Sequence, residues 1–180
     1  MLKEIIIVEP STKDLSVILE IHNEAFKGND VADLTSQLLK DNSAKPYLSL
    51  LAIKKNEAVG HILFTRASIN GIKLDNKVYI LAPLAVIPSN QNQGIGGELI
   101  REGLARLESW NVKLVFVLGH INYYPKFGFV NNAEELGYKA PFPIPKEVAD
   151  AWMVQCFTKQ TIKGQVVCAD AMNKPEHWRE

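Results

Sequence analysis

Tyr79-Ile80-Leu81-Ala82-Pro83-Leu84-Ala85-Val86-Ile87 is an apolar run that leads through Pro88-Ser89-Asn90 into Gln91-Asn92-Gln93-Gly94-Ile95-Gly96-Gly97 and then a helical pattern. A strand, a turn and a glycine-rich helix start in that order make a site for an anionic ligand. Free N–H groups point out of a helix N-terminus, and the helix dipole adds partial positive charge there. Glycines let a phosphate approach the backbone without meeting a Cβ. A nucleotide P-loop would need Gly-Lys-Ser/Thr, and neither the lysine nor the hydroxyl follows. A Rossmann fingerprint read from Gly94 and Gly96 would need a third glycine where Leu99 stands.

A second motif lies about thirty residues on. Lys113-Leu114-Val115-Phe116-Val117-Leu118-Gly119 reads as a buried parallel strand. It is followed by Tyr123-Tyr124-Pro125-Lys126-Phe127-Gly128-Phe129. Gln91-x-x-Gly94-x-Gly96 after an apolar strand resembles the pyrophosphate loop of the GCN5-related N-acetyltransferases (GNAT), and the tyrosine segment is similar to that family's aromatic-Tyr-x-x-(Leu/Phe)-Gly-Phe signature. The layout of residues 1–130 follows the family. The resemblance is closest to bacterial predicted N-acetyltransferases with Tyr-Tyr-x-x-Phe-Gly-Phe and a long C-terminal extension.

At 180 residues the chain is long enough for one domain with a substantial core. We expect a single N-acetyltransferase domain over 1–180, with a coenzyme-binding core to about 130 and an extension from about 131 completing the sheet and pocket. Twenty basic and twenty acidic residues balance, which leaves no electrostatic footprint for nucleic acid or an anionic membrane. The start, Met1-Leu2-Lys3-Glu4-Ile5-Ile6-Ile7-Val8, has too short an apolar run for a secretory signal, and no segment reaches membrane-spanning length. Cys156 and Cys168 read as reduced, buried thiols of a cytoplasmic protein, and no Cys/His cluster has zinc spacing. The expectation is therefore a chain without metal, nucleic acid or membrane, as monomer or homodimer.

Glu4–Val8 reads as a strand, and Ser11-Thr12-Lys13-Asp14 as a capping box ahead of a helix that Gly28-Asn29 ends. A second helix is expected over Val31–Lys40. Tyr47–Lys54 and Ala58–Ile69 read as a hairpin about Lys55-Asn56-Glu57, with another tight turn at Asn70-Gly71. After the glycine loop, Leu99, Ile100, Gly103, Leu104, Leu107 and Trp110 share one helix face. The chain from 130 to about 146 should be mostly irregular and line a substrate pocket, before late strands at Trp152–Phe157 and Gln165–Ala169. The order β-α-α-β-β-β-α-β-α-β predicts an α/β, mixed and mostly antiparallel sheet with helices on both faces. Only the strands ending near Ile87 and Leu118 are joined by a helical crossover, so they are the natural parallel pair. The resemblance implies that these two splay apart around a pantetheine arm.

Acetyl transfer from acetyl-CoA to an amine needs a held donor, a neutral amine, a stabilised oxyanion and a proton for the leaving thiolate. By resemblance, backbone N–H groups of Gln93, Gly94, Ile95, Gly96 and Gly97 hold the pyrophosphate, with Gln91 in the motif. The backbone of Leu84, Ala85 and Val86 pairs with pantetheine, and Val86 N–H meets the thioester oxygen. Pro83 fits a local bulge that opens the sheet. Tyr124 corresponds to the family's general acid, whereas Tyr123, Phe127 and Phe129 read as packing aromatics. His120, just past a strand end, is a candidate base because histidine titrates near neutrality. Glu24 is another candidate, and His22 and His61 read as core histidines. Many relatives carry an Asn near the position of Leu118-Gly119, and this chain does not. The acceptor is expected to be a small-molecule primary amine. The alternatives are a protein lysine or N-terminal acetyltransferase, or a non-catalytic coenzyme A-binding sensor.

Overall fold

The computed structural model describes residues 4–75, 77–160 and 162–179, so residues 1–3 of the stretch read for a signal lie outside it. Ser11 closes the capping box with Asp14, whose carboxylate accepts the Ser11 N–H at 2.7 Å. The turn Thr12–Asp14 feeds α1 (Leu15–Phe26), and Lys27 ends α1 in the left-handed conformation in place of the expected glycine. The helix α2 (Asp30–Lys40) follows almost at once.

The apolar runs form one sheet of eight strands. In chain order they are β1 (Ile5–Val8), β2 (Leu48–Lys54), β3 (Glu57–Ile69), β4 (Val78–Val86), β5 (Leu114–Leu118), β6 (Tyr138–Lys139), β7 (Trp152–Cys156) and β8 (Gly164–Val167). The path runs β1-β2-β3-β4-β5-β7, and β8 joins β3 to β6. Lys55 and Asn56 both take positive φ, which gives the β2–β3 hairpin the tight turn its register needs. The expected helix after β5 is absent. Only the single turns Tyr124–Phe127 and Lys146–Ala151 stand there, because Pro125, Gly128 and the proline cluster at 141–145 interrupt any longer helix. The short strand β6 had no legible pattern at two residues.

Strand alternation divides the core between two faces. Ile80 and Phe116 point to the side of α2, where Leu38, Leu63 and Trp152 pack with them. Tyr79, Leu81, Val115 and Val117 point to the side of α3 (Ile95–Ser109). The helix α3 holds three glycines, each costing about 1 kcal/mol against alanine in a helix interior. Ile95, Leu99, Ile100, Leu104 and Leu107 are all buried, and about 1.5–3 kcal/mol for each such side chain outweighs that cost. Trp110, placed by its spacing on the same face, is instead 39% exposed and caps the helix.

Beneath α1, His22 and His61 are fully buried, as their apolar surroundings suggested. His22 Nε2 and His61 Nδ1 share a hydrogen bond of 2.8 Å, and His61 Nε2 shares a second of 2.8 Å with Ser49 Oγ. Burial lowers the His22 pKa to about 4, and burial together with the neighbouring His22 holds His61 well below the usual range. Cys156 at the surface and Cys168 in the interior are both free thiols.

Candidate functional site

The strands β4 and β5 run parallel through Val78–Leu114, Tyr79–Val115 and Ile80–Phe116, and then part. On its other side β4 keeps its pairing with β3 to Val86, across a register shift that sets Ala82-Pro83 opposite Leu63. That bulge is where Pro83 was expected to open the sheet. Ile87 N–H donates to Val59 O at 2.9 Å. Strand alternation therefore turns the N–H groups of Val86 and Leu84 the other way, into the gap that β5 has left. Ala85 faces α1, packed against Ile18 and Ile21.

From the end of β4 the chain turns through Pro88–Asn90 into α3. Gly94 stands at the N-cap with φ +83°, a conformation glycine adopts without strain. The side-chain amide of Gln91 donates to Val86 O at 2.9 Å, so this residue braces the loop against the strand. Gln93 donates to Ser89 O at 3.2 Å and accepts from Lys54 Nζ at 2.6 Å.

The turn after β5 closes over this loop. Gly119 N–H donates to Ala151 O at 3.0 Å, and the His120 carbonyl accepts from Tyr123 N–H at 3.1 Å and Tyr124 N–H at 3.4 Å. A Cβ at Gly119 would lie 2.5 Å from the Tyr124 ring, which gives a steric reason for the departure from the family pattern there. A Cβ at Gly96 would lie 2.6 Å from Tyr123 Oη. Gly96 is therefore needed for an aromatic neighbour as well as for any phosphate. Tyr123 packs edge-on against both Tyr124 and Phe127, and burial raises its pKa against the opposing charge of Arg101.

Two cavities result. The glycine-loop cavity, about 630 Å³, takes Gln91, Gly94, Ile95, Gly96 and Gly97 from the loop, Leu84 and Val86 from β4, and His120 and Tyr124 from the turn. Of the residues singled out in the sequence, Ala85 and Gln93 do not line it. Arg101 and Lys126 do, and sequence reading missed both. Arg101 rests over the Phe127 ring at 5.0 Å; Lys126 sits inside the tyrosine motif and Arg101 one turn into the helix after the glycine loop, where their charge was the available signal.

The C-terminal cavity, about 420 Å³, lies in the β4–β5 gap on the far side of Tyr124. Its wall includes Phe26, Val31 and Leu34 from the helix pair and Met172, Glu176 and Trp178 from the C-terminal segment. None of residues 131–150 lines either cavity, contrary to the expected pocket-lining loop. Ala133, Tyr138 and Ala140 are instead packed into the core, because their small and aromatic side chains bury more favourably than they would line an open site. Glu24 lies exposed on α1 and lines neither cavity. His120, Leu84 and Tyr124 line both, with Tyr124 nearly buried and His120 exposed.

The C-terminal segment is fixed in place. Trp178 is 1% exposed, donates to Met172 O at 3.0 Å, and packs edge-on against Trp152, which stacks on Phe116. Asp41 accepts from Ala171 N–H at 2.9 Å and from Ser43 Oγ at 2.6 Å. Burial pushes the Asp41 carboxyl up, but these hydrogen bonds outweigh it and hold the group below its usual range. No sequence pattern announced this segment.

Residues 15–129 match the profile of the Acetyltransferase (GNAT) family. The chain is 50% identical over 159 residues to the uncharacterized N-acetyltransferase YjhQ of Escherichia coli, covering 87% of this chain and 88% of that one. A GNAT family acetyltransferase from Brucella melitensis, solved in complex with acetyl-CoA, superposes with a TM-score of 0.76 at 26% identity, over 93% of this chain and 97% of that one. YhbS of Escherichia coli, solved with CoA, has the same fold, with a TM-score of 0.84 at 23% identity over 95% and 93% of the two chains. With its splayed parallel pair, its glycine loop and this similarity across most of its length, the chain belongs to the GNAT family of acetyltransferases.

Proposed function

We propose that this acetyltransferase moves the acetyl group of acetyl-CoA directly to the primary amine of a small molecule, with the donor in the glycine-loop cavity and the amine in the C-terminal cavity. The observation that carries this reading is the meeting of the two cavities at Leu84, His120 and Tyr124. A donor entering from one side and an acceptor from the other have one place to touch. The walling of the second cavity by the anchored C-terminal segment favours a small acceptor over a protein surface.

Bound acetyl-CoA supplies an acyl group activated as a thioester. The residues of this chain do the rest. The α3 N-terminus at Gly94–Gly97, with Arg101 and Lys126 beside it, holds the pyrophosphate. The gap-facing N–H groups of Leu84 and Val86 orient the pantetheine arm as an added strand would be oriented, and Val86 N–H donates to the carbonyl oxygen. His120 takes the proton that the amine releases as its nitrogen bonds the acyl carbon. Tyr124 gives its phenolic proton to the departing sulfur as the C–S bond breaks. The two protons balance through solvent.

Acetyl-CoA should raise Tm by mass action. In a thiol-release assay with an amine, Tyr124→Phe should lower kcat on the order of 10²-fold with little change in donor affinity. Tyr123→Phe should leave kcat near the parent value. If the two substitutions behave alike, Tyr124 is a packing residue and the thiolate leaves with help from water.

A further inference from the structure

The C-terminal cavity carries a chemical description of its acceptor. Its body is apolar: Phe26, Val31, Leu34, Leu118, Met172 and Trp178 contribute wall. Phe26, in the last turn of α1, remains 47% exposed at this cavity, a large apolar ring with an uncovered face. Among the lining residues there is one carboxylate, Glu176, one guanidinium, Arg179, and two imidazoles, His120 and His177. Glu176 takes part in none of the ion pairs among the described residues, which join Arg101 to Glu98 and Arg106 to Glu9 and Glu102. Glu176 is exposed, so its charge is open to water and to an incoming ligand alike.

These observations discriminate between classes of amine. A polyamine or an aminosugar with several ammonium groups needs several carboxylates, and a second ammonium here would find Arg179 and no second acid. A phosphorylated amine needs several cations. A compact apolar body with one ammonium for Glu176, with or without one carboxylate for Arg179, matches what is present, because the ring or alkyl body is buried against the apolar wall at about 25 cal/mol per Å². Glu176 then attracts the incoming ammonium, which loses its first proton to solvent and its second to His120, where the two cavities join, as the nitrogen bonds the acyl carbon.

We propose that the acceptor is a primary monoamine on a compact apolar or aromatic body, and that the C-terminal segment Pro175–Trp178, through Glu176, determines this choice. The inference rests on the acetyl transfer proposed above. Pro175–Trp178 forms a single turn held by the buried Trp178 indole, so Glu176 has a fixed backbone position at the cavity.

The test is acetyl transfer from acetyl-CoA to four probes: 2-phenylethylamine, spermidine, phenylalanine and an N-acetylated lysine tripeptide. Transfer is followed by product mass, and donor binding by Tm in parallel. The expected result is a kcat/KM for 2-phenylethylamine and for phenylalanine at least ~10-fold above spermidine and the tripeptide. In Glu176→Gln both values should fall about 10-fold through KM, with the acetyl-CoA-dependent Tm shift unchanged, as expected for loss of one attractive charge near a surface. Val31→Trp, which fills the cavity, should also raise the amine KM without altering donor binding. Preference for spermidine or the peptide overturns the substrate class while leaving acetyl transfer standing. An unchanged amine KM in Glu176→Gln overturns the role of the C-terminal segment. Donor binding with no transfer to any probe overturns the acetyl-transfer reading itself, and this inference with it.

Discussion

The glycine-loop cavity is walled by one continuous stretch, from the end of β4 into α3, and by one short turn after β5. The C-terminal cavity draws its wall from α1, α2, two strand ends and a segment near residue 178. The first is made largely of backbone, with N–H groups, glycines and a helix terminus as its chemistry. The second is made of side chains that meet only because an aromatic stack of Phe116, Trp152 and Trp178 fastens the end of the chain to the sheet. A backbone site tolerates little substitution at a few fixed positions. A side-chain site can be re-specified by exchanging its wall, which suits a family with one donor and many acceptors.

The sharpest way to break this contrast is at Gly96. Gly96→Glu adds a side chain where Tyr123 Oη already stands and a negative charge at the position proposed for the pyrophosphate. Acetyl-CoA should no longer raise Tm, while the fold persists by circular dichroism. Donor binding equal to the parent would falsify the assignment of the loop.

Acid should act on the side of α1. Folded His22 takes a proton only near pH 4, against 6.5 in an unfolded chain. Between those values the unfolded chain binds more protons, so stability rises with pH and is lost as pH falls from 6.5 towards 4. The shift corresponds to a loss of about 3 kcal/mol, and His61, depressed in the same direction, adds to it. Urea midpoints measured across this range should fall, and the slope should shrink in His22→Gln. Because His22 stacks one turn from Phe26, the same acidification should weaken amine binding. A flat midpoint down to pH 4 means the buried pair is not held neutral.

Arg101 and Lys126 test whether the loop cavity is backbone alone. Each alanine substitution should weaken acetyl-CoA binding by roughly 1 kcal/mol, and the difference should shrink as salt rises. No change at low salt would leave the helix terminus as the sole holder of the phosphates.

An effect on stability as well as on the acceptor side is expected at Asp41, which ties residue 171 to the end of α2. Asp41→Ala should cost about 1–2 kcal/mol of stability and raise the amine KM while leaving donor affinity alone. Equal losses on both sides would show that the two cavities are not independently built.

Much of this molecule was legible in order along the chain. The capping box, the hairpin turn and the glycine loop are local, each set by spacing within a dozen residues, and the parallel pair follows from the helical crossover that joins β4 to β5. The bulge at Pro83 was legible for the same reason, since a proline cannot donate to a ladder. The missing helix after β5 and the role given to residues 130–146 went astray where prolines, glycines and aromatics left no period to read.

By itself the sequence determined most of the sheet, its parallel pair and the glycine-rich turn into α3, because periodicity, turn chemistry and crossover length are read along the chain, while the splay of that pair came with the resemblance to the family. Only the tertiary structure decided that Tyr123 covers Gly96, that Tyr124 excludes a side chain at 119, and that Arg101 and Lys126 flank one cavity. It alone brought Glu176 and Phe26 to the wall of one cavity and fastened that segment with Trp178. Such contacts join residues far apart in the chain, and they are selected by the shape and burial of the whole core, which no local pattern encodes.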